Sequence, residues 1–166
     1  MARLPGTTFR ARASGLGLAL CATAVGAHAA DLARQVITRA STQAPVQGDA
    51  ARFDGKVRVD PLAQGNAHIN ASSAYVTFEP GARSAWHTHP AGQFLIVTAG
   101  NGLTQEWGQP VQPLRVGDVV WCPPDVKHWH GAAPTSAMTH LALTSAVPGK
   151  SVTWMEKVSN AQYSSR

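Results

Sequence analysis

The sequence predicts a single all-β domain, a closed barrel or a two-sheet sandwich. Three observations carry this: short runs of alternating apolar and polar residues, Gly and Pro turns that punctuate them regularly, and no convincing helical periodicity. Val57–Val59 reads as a strand ended by Asp60-Pro61, and Ala74–Phe78 as a second closed by Pro80-Gly81. Ser84–His89 and Gln93–Thr98 follow, separated by the turn Pro90-Ala91-Gly92. Gly100-Asn101-Gly102 ends the latter, and Leu103–Trp107 begins a new strand. Val119–Cys122 stops at Pro123-Pro124; His128–His130, Ala137–Leu143 and Val152–Glu156 complete the set, with at most a short helical turn near the C-terminus.

The first residues obey a different rule. Residues 1–12 carry Arg3, Arg10 and Arg12 and no acid, and residues 13–26 are apolar or small. Ala27-His28-Ala29 then precedes Ala30-Asp31. A basic head, a short apolar middle and an Ala-x-Ala end predict a signal peptide over 1–29, cut after Ala29 or Ala30. The expected location is therefore periplasmic or secreted, with no stable membrane insertion once the leader is removed, because the apolar run is too short for a comfortable span. Residues 30–52 read as an irregular N-terminal arm, and 53–166 as the folded domain.

Removing residues 1–29 takes away three arginines and no acid, so the formal charge of +5 becomes +2. What is left has no Lys/Arg cluster of the kind that tracks phosphates, which excludes nucleic acid as the expected partner. A small-molecule substrate is expected instead. Cys122 is then the only cysteine, so no intramolecular disulfide is available and the core must carry the fold. Before Pro123-Pro124, Cys122 reads as a small buried apolar residue rather than a nucleophile.

Four histidines form two phased pairs. His87 and His89 are two apart, and so are His128 and His130 about forty residues later. On a strand, i and i+2 share a face, so each pair can turn toward one point while Trp86, Thr88 and Trp129 face the other way as packing residues. Gln93 lies just past a tight turn and can swing back from the next strand. His68, alone, reads as an ordinary surface or core residue.

The spacing resembles the two sequence motifs of the cupin family. Gly81, five residues, His87-x-His89, three residues, Gln93, six residues and Gly100 form the first; Gly117-Asp118, four residues, Pro123, four residues and His128 form the second. The match covers roughly residues 75–145. It implies a single-domain jelly-roll (double-stranded β-helix) barrel. Two positions depart from the family pattern: Gln93 stands where Glu is familiar, and Asp125 where Gly is usual. Further strings, including Ala85-Trp86-His87-Thr88-His89-Pro90 and Lys127-His128-Trp129-His130-Gly131, resemble the manganese-dependent cupin hydroxynitrile lyases, which split or make cyanohydrins such as mandelonitrile.

That resemblance implies a divalent metal held by His87, His89, Gln93 and His128, with His140 catalytic and His130 near the site. Manganese is the preferred metal; Fe, Co, Ni or Zn also suit three imidazoles and one oxygen. A neutral amide in place of a carboxylate leaves the metal charge uncancelled and favours anionic ligands. His140 is expected as the base, an imidazole with a pKa close to neutrality, because Met138, His140 and Ala142 alternate on one face. Ala74, Val76, Leu95 and Val97 are expected to line an apolar substrate pocket. Two other functions stay open: an Fe- or Ni-dependent dioxygenase on a phenolic or diketone substrate, and a non-catalytic module binding a metal or small ligand. A homodimer or homotetramer is expected, since exposed sheet edges need covering.

Overall fold

The computed structural model describes residues 34–165. The expected leader and its cleavage point lie outside them. The chain falls into two units, Met1–Ile37 and Thr38–Arg166. Of the first, only residues 34–37 are described, and they form no helix or strand. No helix among the described residues is long and apolar enough to cross a membrane.

The second unit is nearly all β, with every strand pair antiparallel. Its strands are β1 (Val46–Gln47), β2 (Phe53–Asp54), β3 (Val57–Ala63), β4 (Ala71–Phe78), β5 (Arg83–Ser84), β6 (His87–Thr88), β7 (Gln93–Glu106), β8 (Gln112–Arg115), β9 (Val119–Cys122), β10 (His128–Ala132), β11 (Met138–Ser145) and β12 (Thr153–Trp154). A 3-10 turn spans Ala40–Thr42, and the helix α1 spans Asn160–Ser164. One sheet runs β1-β3-β4-β11-β7-β9. The other runs β2-β5-β10-β7-β8, with β6 paired to β10 and β12 to β6.

The strand β7 belongs to both sheets and curls them into one barrel. Its first half pairs with β11 and β9, its second with β10 and β8. The two strands expected on either side of Gly100 are thus one strand that bends there. Gly100 has φ +72°, and a Cβ on it would lie 1.9 Å from the Ala137 carbonyl oxygen, so only glycine permits the corner.

Other strand boundaries differ from expectation. Asp60-Pro61 does not end β3, which continues to Ala63 with an irregularity between Pro61 and Ala63; Pro is tolerated at such a bulge. The strand β8, not among the expected strands, contains Pro113; it pairs with β7 at an edge where a missing N–H costs little. The expected strand over Ser84–His89 is two short pieces, β5 and β6. Residues 30–52 are not irregular throughout: Val46–Gln47 pairs with β3, the Gly48 N–H donates to the Val57 carbonyl at 2.7 Å, and the Gln43 amide donates to the Leu62 carbonyl at 2.9 Å.

Between the sheets lies a core built on Phe78, Leu95, Val97, Leu114 and Met138. A second cluster forms behind β10, where Trp86, Trp129 and Val158 pack with Leu103 and Tyr163. The alternation that turns His87 and His128 inward turns Trp86 and Trp129 outward, as expected. The C-terminal segment covers them. The Ser159 hydroxyl accepts from the Gln162 N–H and the Gln162 side chain accepts from the Ser159 N–H, a capping box that starts α1. Arg83 clamps this cover by donating to the Val158 carbonyl at 3.0 Å and to Asn160 at 2.8 Å.

Candidate metal centre

The barrel contains a cavity of about 420 Å³. His87, His89, Gln93, His130 and His140 line one part of it; Phe53, Val59, Val76, Ala142 and Trp154 supply much of the apolar remainder. Residues Val46–Asp49 and Arg52 also border it, so the segment expected to be an arm serves as a wall. Ala74 and Val76 line the cavity. Leu95 and Val97 are not among its lining residues; they belong to the core. From β11, which lies between β4 and β7, His140, Ala142 and Thr144 line the cavity, and from β7 Gln93 does.

His87 and His128 are register partners across β6 and β10, with ring centroids 4.3 Å apart. His89 lies 5.0 Å from the His87 ring and 5.5 Å from that of His128. The three share one anchoring pattern. Nδ1 of His87 meets the Ala85 carbonyl at 2.9 Å, Nδ1 of His89 the Ser151 carbonyl at 2.7 Å, and Nδ1 of His128 the Val126 carbonyl at 2.9 Å. A carbonyl only accepts, so each Nδ1 carries the hydrogen and each Nε2 presents a lone pair. Gln93 donates its amide N–H to the Thr144 hydroxyl at 2.9 Å, which leaves Oε1 free. His89 Nε2, His128 Nε2 and Gln93 Oε1 are all buried without a hydrogen-bond partner. Buried acceptors rarely stay unpaired. Neutral lone-pair donors of this kind suit a divalent transition metal; His128 itself does not line the cavity that His87, His89 and Gln93 border.

Among the described residues, His87, His128 and His130 each place one nitrogen within 4.8 Å of the others. Three buried histidines could therefore hold a metal ion. This trio exchanges His130 for the expected His89. His130, however, is engaged elsewhere: its Nδ1 lies 3.1 Å from His140 Nε2, and the two rings are 4.7 Å apart. Phe78 packs against both rings at 5.7 Å.

Burial disfavours the protonated form of these imidazoles and keeps them neutral. Desolvation pushes His128 and His140 down to about 4 and His87 and His130 well below the usual value, neighbouring histidines adding to the effect on the latter two. His89 is lowered by burial as well, opposed by the Ser151 carbonyl and the adjacent Gln93 side chain. The expectation of a His140 pKa near neutrality is thus corrected, because no carboxylate offsets the loss of water. Burial, then Glu106, raises the Cys122 thiol to about 12, so it is no nucleophile. His68 is exposed.

Trp154 escaped the sequence reading. As register partner of His87 it places its ring 4.9 Å away, and its Nε1 is buried without a partner. The only signal was its place in a late strand, whose partner no sequence pattern names.

A curled antiparallel barrel with a histidine-lined cavity defines a β-barrel protein equipped to hold a metal ion. Residues 74–144 match the Cupin domain model. The chain is 56% identical over 127 residues to a Granulicella tundricola protein named (R)-mandelonitrile lyase, covering 76% of this chain and 97% of the relative. The crystal structure of a cupin-like protein from Thermotoga maritima is 40% identical, with TM-score 0.67, covering 78% of this chain and 95% of that one. A predicted oxalate decarboxylase from the same organism, 22% identical with TM-score 0.60, covers 68% of this chain and 100% of its own and shares the fold. The chain belongs to the cupin family.

Proposed function

We propose that this chain is an exported metal-dependent lyase acting on cyanohydrins or similar small carbonyl adducts. The observation that carries it is a set of three Nδ1-anchored imidazoles, with ring centroids 4.3 to 5.5 Å apart, and a buried Gln93 oxygen left without a partner. The name of the Granulicella tundricola relative supports the reaction class. His87, His89, Gln93 and His128 are the proposed ligands, His89 being preferred to His130 because its Nε2 has no partner whereas His130 contacts His140. Manganese is the proposed metal. When bound, a divalent metal supplies Lewis-acid polarisation of a hydroxyl or carbonyl oxygen.

The protein's own groups do the rest. His140 is neutral at pH 7 and takes the hydroxyl proton through the imidazole nitrogen that His130 does not engage. As the C–C bond breaks, the carbonyl forms and cyanide departs with the bonding pair. The protonated His140, relayed to His130, then stabilises and finally neutralises that anion. Phe53, Val59, Val76 and Ala142 hold the organic part away from water.

Mn-loaded protein should release HCN from racemic mandelonitrile, and chelator-treated protein or His87→Ala should not. Elemental analysis of both proteins identifies the metal. Absence of metal-dependent HCN release would end the reading.

Export rests on the character of residues 1–29, and fractionation of the expressed full chain tests it. Homo-oligomerisation, as a dimer or tetramer, is supported by the outer face of the first sheet. There Leu143 pairs with Phe94 and Phe94 with Trp121, all exposed. Sedimentation of the purified protein should show more than one copy.

A further inference from the structure

We propose that Thr144 is a positioning residue that presents the Gln93 amide oxygen to the metal. The proposal rests on the reading of Gln93 as a ligand. Thr144 stands on β11 directly opposite Gln93 on β7. Its hydroxyl accepts the Gln93 Nε2–H at 2.9 Å, and the Gln93 Oε1 is left buried with no partner. Both residues line the histidine cavity.

The need for such a partner follows from the ligand type. The two ends of a carboxylate are alike, so a half-turn about the last side-chain bond changes nothing. An amide has an acceptor end and a donor end, and a half-turn would aim N–H groups at the lone pairs of His87, His89 and His128, with no donor atom for a cation. Keeping Oε1 inward requires the amide nitrogen to find an acceptor on the opposite side. The Thr144 hydroxyl is that acceptor, on a strand that the neighbouring register pairs keep fixed. Side chains that orient metal ligands from behind commonly govern affinity. A neutral amide ligand therefore depends on residue 144 in a way that its carboxylate counterpart would not.

The test is metal affinity, measured by chelator competition on the purified full-length domain, with Mn(II) as probe. Thr144→Val keeps the β-branched shape and removes the acceptor; roughly 10- to 100-fold weaker binding is expected. Thr144→Ser restores a hydroxyl and should bind within about threefold of the parent. The thermal midpoint of the metal-free protein should be similar in all three, which a merely structural role would not produce. In a Gln93→Ala background, Thr144→Val should change affinity by less than about twofold, since its partner is gone. Equal affinity of the parent and Thr144→Val overturns the proposal alone, as does a loss that persists undiminished without Gln93. A parent protein that binds no Mn(II) overturns the ligand reading itself, and the proposal with it.

Discussion

His140 Nε2 and His130 Nδ1 lie 3.1 Å apart inside the barrel, so one hydrogen is shared between two fully buried imidazoles. Moving that hydrogen from one ring to the other changes which nitrogen of His140 can accept a second proton. The two residues therefore act as a unit. His140→Ala should lower HCN release by about 10²- to 10⁴-fold, the usual range for a positioned base. Bound metal should be unchanged, because His140 is not a proposed ligand. His130→Ala on top of it should add little, and steady-state kinetics of the three variants checks this.

Trp154 carries a different expectation. Its indole N–H can only donate and has no partner, close to His87. Trp154→Phe keeps an aromatic ring against His87 and deletes the donor. Inhibition by a small anion such as acetate should weaken about threefold to tenfold, the worth of one hydrogen bond, while metal content stays the same.

Stability should depend on pH in a defined window. In the unfolded chain each histidine titrates near 6.5, whereas burial holds His128 and His140 at about 4 in the folded protein. Below 6.5 the unfolded chain takes up protons that the folded chain refuses. Metal-free protein should be fully stable above that pH and lose roughly 1 kcal/mol per pH unit for each such histidine as pH falls toward 4. Urea midpoints at a series of pH values measure this; a flat profile would contradict the burial of the cluster.

The departure at Asp125 makes a further prediction. Asp125 has φ +60°, a left-handed backbone that glycine adopts freely, and its N–H donates to the His89 carbonyl at 2.9 Å. Asp125→Gly should be neutral or stabilise by up to about 1 kcal/mol, whereas Asp125→Val should destabilise by about 1–2 kcal/mol or more. Since the turn holds the His89 backbone, Asp125→Val should also weaken metal binding, measurable by chelator competition.

Much of the centre was legible because strand alternation is a local rule. Two histidines at i and i+2 must share a face, and the tryptophan or threonine between them must face away, whatever the rest of the chain does. The turn at Pro90–Gly92 likewise made Gln93 a neighbour of His89. Other features had no local signature. Leu95 and Val97 carry the same alternation as Ala74 and Val76 and follow Gln93 on one face of β7, yet they pack into the core while Gln93 reaches the cavity. Pro61 argued for a strand end where a bulge excuses the missing donor, and β8, which holds Pro113 at an edge, carried no strand signal.

From the order of its residues alone, this chain determined an all-β domain, two inward-facing histidine pairs and an amide ligand candidate, the first two from the two-residue period of a strand and the third from a tight turn. Tertiary structure decided which side chains meet across the barrel: His130 with His140, Trp154 with His87, Gln93 with Thr144. Those pairs join strands far apart in the chain, and their contacts exist only once β7 bends at Gly100 and brings the two sheets face to face.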